Sequence, residues 1–322
     1  MATAFCRFED FDDRVVELLR RGLQGRIAKR ALLSRRLPQS MGTTAVAGIA
    51  TTTTAAASRL GVPGTHDLAL RRWVSRTDAF ADVLLSELGD GDLGQPRVDD
   101  GLDIVINACD LRTGSAFRFG SKESSSSRLG TLVEQPSVAT AVAASAAYPL
   151  LLPALDRSWT FRRRDGELQR QRVVLTDGGV YDNSATSCLQ PGRVPEYTYN
   201  VFPVDYIIAC DAGRGQLADK TPFHAVPRLN RSFEASFRKL QDASRGSLHR
   251  TVAEGGLKGF VMPYLGQLDH RLPWEPPDLV PRAAVADYPT NFAAMSEASL
   301  ITIARRGEML TRLLIERWCP EL

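Results

Sequence analysis

Three apolar runs in this chain each end in an aspartate: Asp110 after "IVINAC", Asp177 after "VVLT" and Asp211 after "YIIAC". A carboxylate at the end of a buried strand can take a proton from a hydroxyl, or share a metal ion with other carboxylates. It can equally cap its own turn, because Asp side chains accept hydrogen bonds from backbone N–H groups two residues on. Asp177 stands apart by its two successors. Gly178 and Gly179 come directly after it, in "VVLTDGGVYDNSAT", and two glycines let another segment approach the acid closely. An Asp-Gly pair also makes hairpin turns, so a turn and a site are both open at this position. Joint metal binding by Asp110, Asp177 and Asp211 is chemically conceivable, yet no ligand spacing points to it, and no metal site is expected.

The partners that a catalytic aspartate would need are harder to find. The four histidines, His66, His224, His249 and His270, lie outside all three strand-end motifs, so a Ser-His-Asp triad is not indicated. An acid acting as base would have to act directly on its nucleophile. No serine has a glycine two residues before and two after it. Ser40 ("PQSMG") and Ser244 ("DASRG") have only the trailing glycine, and Ser145 ("AASAA") reads as a small packing residue in a helix.

The elements that would position these residues come from periodicity. Phe8, Phe11, Val15, Leu18 or Leu19, and Leu23 recur at helical spacing, with acids early, Arg20 and Arg21 late, and Gly22 or Gly25 as the stop. A second helix is expected over Asp67 to Leu88. "LDIVINACDLRTGSAFRFG" predicts a strand, a turn at Arg112-Thr113-Gly114 and a second strand. "SKESSSSRLG" reads as a loop, and "VATAVAASAAYPLLLPAL" as a small-residue helix that ends before Pro149. "RVVLTDGG" and "VDYIIACDAGRG" are buried strands, "LKGFVMPYLGQ" one further strand, and helices cover about Leu229 to Leu248 and Phe292 to Arg317. Apolar strands alternating with helices predict an α/β protein with a mostly parallel sheet, where ligands bind beyond the carboxyl ends of the strands.

At 322 residues the chain can bury one sizeable core, and its 43% hydrophobic and 24% charged content is that of a globular protein. A net charge of +3 gives no global reason to expect a nucleic-acid partner. Between Arg14 and Arg36, however, eight basic residues face one acid, Glu17. Such a run is either a solvated helix face or a patch that meets anionic lipid. The five cysteines are scattered, without a CxxC, and indicate neither a disulfide framework nor zinc. Cys109 and Cys210 are expected in the core. No secretory signal is visible. Leu37 to Ser58 is uncharged for 22 residues but holds six threonines and only four large apolar residues, a poor membrane span. A cytoplasmic protein, with at most peripheral membrane contact, is the expectation.

Taken in order, "NACDLRTGSAFRF", "VAASAAYPLLLPAL" and "TDGGVYDN" resemble the patatin-like phospholipases, or lipid acyl hydrolases, of bacterial type. The likeness runs from about Phe8 to Leu189, with a looser tail beyond. It implies a three-layer α/β/α fold and a partial patatin-like domain over residues 1–189. Residues 190–322 would then be a C-terminal α/β extension packed on the same sheet. It also implies a Ser-Asp dyad, with the family's D-G-[AG] motif at Asp177-Gly178-Gly179. Asp177 would activate a serine that attacks a lipid acyl ester, and water would then release the fatty acid. No cofactor is implied, and the partners are phospholipid acyl esters rather than nucleic acid.

The family's G-x-S-x-G nucleophile and glycine-rich oxyanion loop have no counterpart in this sequence. The expectation is a sheet incomplete at its N-terminal strands and a nucleophile missing from this chain, which as given would be inactive. The alternative is a non-catalytic paralogue that binds lipid or protein.

Overall fold

The computed structural model describes residues 8–33, 76–94, 102–149, 152–213, 224–289 and 291–322. The uncharged segment 37–58, Ser40, His66, Cys6 and the first part of the helix expected from Asp67 lie outside the described residues.

Six antiparallel strands close on themselves: β1 (Val105–Asp110), β2 (Ser115–Gly120), β3 (Ser125–Ser126), β4 (Gly130–Leu132), β5 (Leu155–Arg162) and β6 (Leu168–Asp177). Closure is made where β6 returns to β1, with Ala108 opposite Asp177, Cys109 opposite Thr176 and Asp110 opposite Leu175. The expected three-layer α/β/α arrangement with a parallel sheet is therefore wrong: the site-bearing strands form a closed antiparallel barrel. The reason lies in the connections. Parallel neighbours need a crossover of a dozen residues or more, whereas antiparallel ones need only a turn. The turn ending in Gly114 (φ 63°) joins β1 to β2, and Arg163 to Gly166 (φ 88° at Gly166) joins β5 to β6. Strand β5, "LDRSWTFR", alternates too weakly to announce itself, so the partner of β6 was not legible. The serine-rich segment read as a loop contributes the two short strands β3 and β4.

The barrel core is aromatic. Phe117, Phe119 and Phe161 are fully buried, with ring centroids 4.8 Å apart for Phe117–Phe119 and 6.2 Å for Phe117–Phe161. Helix α1 (Phe8–Arg21) stops at Gly22, which has φ 64°. It is succeeded by α2 (Gln24–Leu33) and, further on, α3 (Arg76–Leu88). Ile27, Phe80, Val83 and Leu84 from these helices join the same core. Helix α4 (Val138–Ser145) is capped by Ser137, whose hydroxyl accepts from the Thr140 N–H. Its alanines pack closely under β1 and β6.

Several charges of the 14–36 run pair with neighbouring acids: Arg20 with Glu297, Arg21 with Glu17, Arg26 with Glu87 and Arg30 with Asp82. Cys109 is buried as expected, but Cys210 is exposed. No helix among the described residues is long and apolar enough to cross a membrane.

Beyond the barrel, a single turn of helix, α5 (Gly179–Asp182), continues from β6. Strands β7 (Tyr206–Ile208) and β8 (Gly259–Val261) pair in parallel as a sheet of their own. The long α6 (Ala225–Ala253) provides the crossover that parallel pairing requires. Helix α7 (Glu297–Trp318) packs on β8.

Candidate functional site

The three strand-end aspartates look alike in sequence and differ completely in their surroundings. Asp110 is fully buried and holds its own hairpin. Its Oδ1 accepts from the N–H groups of Arg112 (3.2 Å) and Val174 (3.1 Å), and its Oδ2 from the Thr113 hydroxyl (2.9 Å). Asp211 accepts from the Gly213 N–H at 2.7 Å and, on its other oxygen, from the Gln241 amide at 3.0 Å. Both acids thus have both oxygens engaged in structure. No group of three or more His, Cys, Asp and Glu among the described residues is arranged to hold a metal ion.

Asp177 is different. Its Oδ1 accepts from the Gly179 N–H at 2.7 Å, and among the described residues no other hydrogen bond reaches its carboxylate. It is half-buried at the end of β6, where the backbone is pinned to α4: the Asp177 N–H donates to Ala147 O (3.1 Å) and the Gly178 N–H to Ser145 O (3.3 Å). Burial pushes the Asp177 carboxyl above the ordinary carboxylate range, and the Gly179 N–H pulls partly the other way.

Both glycines are there for close approach. A Cβ on Gly178 would collide with the Asn107 carbonyl of β1, and one on Gly179 would meet Asn183 Oδ1 at 2.7 Å and the Phe237 ring at 2.9 Å. The turn and site readings are therefore both satisfied: the glycines make the bend and clear the space around the acid.

An aromatic wall flanks the carboxylate. Phe237 and Phe233 of α6 stack edge to face at 4.7 Å, and Tyr148 meets Phe233 at 5.9 Å. Burial raises the Tyr148 hydroxyl above its usual range, helped by the nearby charges of Glu234 and Asp177. Asn107 Oδ1, beside Gly178, is buried without a hydrogen-bond partner. The helical spacing of Phe233 and Phe237 was readable; that their face turns to Asp177 was not, because 56 residues separate Asp177 from Phe233. The signal for Asn107 was a lone amide within an apolar strand.

The serines do not complete a dyad among the described residues: no hydroxyl donates to Asp177. Ser145 is the last residue of α4 and contributes its carbonyl, while Ser244 sits on α6. Nor do the described histidines assemble there. His224 takes the N-cap position of α6 without a side-chain capping bond, His249 packs edge-on against Phe260 at 4.8 Å, and His270 lies in a short 3-10 turn.

No protein-family model matches this chain, and no match to a curated protein was found. The class that fold and site define together is an antiparallel barrel presenting one strand-end carboxylate against an aromatic wall.

Proposed function

We propose that this chain carries the general base of a lipid acyl hydrolase, with Asp177 in that role. The observation that carries the reading is the contrast among the strand-end acids. Asp110 and Asp211 are saturated by structural hydrogen bonds, whereas Asp177 keeps Oδ2 open, is raised in pKa by burial, and faces apolar rings. A carboxylate so raised is a better proton acceptor near neutral pH than an ordinary one. The order of motifs that resembles the patatin-like phospholipases supports the same role for Asp177-Gly178-Gly179.

In this reading the nucleophile is a serine that this chain does not itself supply. Asp177 takes its proton as the oxygen attacks the ester carbonyl, and returns that proton to the departing alkoxide. Water then attacks the acyl-enzyme, Asp177 takes its proton in turn, and the fatty acid leaves with the serine proton restored. The Tyr148, Phe233 and Phe237 wall accepts the apolar acyl chain. Because Asp177 must be ionised to act, the rate rises with pH through its raised pKa.

The test is hydrolysis of p-nitrophenyl butyrate by the full-length product of the gene. Asp177→Asn should lower kcat by about a thousandfold, in the range expected for loss of a general base. Activity retained within about tenfold of wild type, on the same scale, overturns the role. So does a wild-type protein that binds short-chain lipid but hydrolyses none, which would instead establish a binding module.

A further inference from the structure

Arg118 occupies an odd place in the barrel. It stands between Phe117 and Phe119 on β2, so alternation turns it to the face opposite those rings, yet it is only 7% exposed. What buries it is the segment after α5. Arg118 Nη2 donates to the Ser187 hydroxyl at 2.9 Å. Arg193, from the same segment, donates through Nη1 to Ser187 O at 3.2 Å and through Nη2 to Tyr199 O at 2.8 Å. Two guanidiniums thus converge on one residue. Burial and the neighbouring Arg118 push Arg193 below its ordinary pKa, the mark of like charges held together away from water.

Six buried side-chain polar atoms among the described residues lack a hydrogen-bond partner, and four of them belong here: Arg118 Nε, Arg193 Nε, Thr186 Oγ1 and Asn107 Oδ1. Thr186 is 2% exposed. Asn107 lies directly opposite Arg118 in the β1–β2 register, which places their Cβ atoms about 5 Å apart. Its amide can also present the NH2 where Oδ1 now stands. Asp182, the buried acid that ends α5, accepts from the Ser187 N–H at 2.8 Å and brings one negative charge against the two positive ones. One positive charge and two unused N–H donors, Arg118 Nε and Arg193 Nε, remain, beside the Thr186 hydroxyl. A carboxylate has two oxygens to offer; a tetrahedral oxyanion has three or four and matches the arginine fork.

We propose that Arg118, Arg193, Thr186 and Asn107 form a binding site for a phosphate group, either free phosphate or the phosphate monoester of a lipid headgroup, entered from the half-buried Arg193 side. The site lies across the β1 edge from Asp177 and does not rest on the hydrolase reading.

Binding is measured on the full chain by isothermal titration with inorganic phosphate, and separately with dihexanoyl phosphatidic acid below its micellar concentration, chloride balancing ionic strength. Saturable binding of either ligand is expected, and the tighter of the two identifies the source. Arg193→Gln, on a surface segment, should weaken it at least about tenfold, the loss of one or two charge-assisted hydrogen bonds. Arg118→Lys, which keeps the charge but not the fork, should weaken it too. Arg30→Gln, on exposed α2, should leave it unchanged. Absence of saturable binding for both ligands overturns the proposal. Equal binding by wild type and Arg193→Gln overturns it as well. Neither measurement reads Asp177 chemistry, so the two proposals fail separately.

Discussion

Among the fully buried side chains of the barrel the largest are Phe117, Phe119 and Phe161, packed ring against ring; in the C-terminal unit the largest is Arg306, 0% exposed. Its guanidinium donates to three carbonyls, Leu265 at 2.8 Å, Val280 at 2.6 Å and Gln267 at 2.6 Å. Asp269 Oδ1 also lies 2.9 Å from Nη1, near enough to neutralise the charge but out of line for a hydrogen bond. The barrel needs no such device, because its backbone groups are paired by the strand ladder and its interior can be apolar. Among its described residues the C-terminal unit has two three-residue strands and a long irregular stretch between β8 and α7. The carbonyls of that stretch need donors, and one arginine supplies them. Apolar packing fills the interior of the barrel, and a fully buried cation organises the irregular stretch of the C-terminal unit.

The contrast can be broken most forcefully in the barrel. Phe117→Ala should cost about 3–5 kcal/mol, the penalty for deleting a fully buried ring, and unfold both regions together in a denaturant melt. Arg306→Met should cost about 3 kcal/mol, since it leaves three carbonyls without their donor and Asp269 without its neutralising charge. Its loss of hydrogen-exchange protection should concentrate in residues 265–285. Equal loss across β1 and β6 would show that the two regions do not differ in this way.

Smaller changes sharpen the comparison at the site. Gly178→Ala should cost about 1–3 kcal/mol by forcing β6 away from the Asn107 carbonyl, and should lower esterase activity with it. Asp177→Asn should raise the melting temperature at neutral pH. The native carboxyl has a raised pKa, so its favourable contribution is present below the unfolded value and is lost as pH rises through the folded one. The gain should therefore vanish in acid, below the ordinary carboxylate range; a gain independent of pH would contradict the burial argument. The smallest effect is expected at Arg172→Gln, which breaks the diagonal β5–β6 pair with Asp156 (2.7 Å) and should cost about 0.5 kcal/mol.

Much of the local structure was legible. The β1–β2 hairpin, the stop of α1 at Gly22 and the alanine-rich α4 all rest on neighbours in sequence, through turn glycines and helical spacing. Sheet direction was not. Apolar strands separated by helices suggested parallel pairing. What decided against it was β5, a strand whose Asp156, Arg157 and Arg162 hide its β character, and whose hairpin to β6 makes the neighbours antiparallel. The Arg118–Arg193 cluster was half-visible, since an arginine between two phenylalanines breaks an apolar pattern. That Ser187 and Arg193 would cover it depends on how the chain folds back.

The sequence by itself determined that Asp110 and Asp177 end strands of the barrel, that Asp211 follows one, β7, three residues on, and that one of the three has two glycines directly after it. Strand propensity, turn chemistry and the lack of a glycine Cβ are local properties, readable residue by residue. Which aspartate remains open for chemistry was decided only by the tertiary structure. Val174, 64 residues from Asp110, donates to the first, and Gln241, 30 residues from Asp211, donates to the last. Asp177 receives an aromatic wall in place of a second donor, and a hydrogen bond to a distant residue is a fact of packing that no stretch of sequence contains.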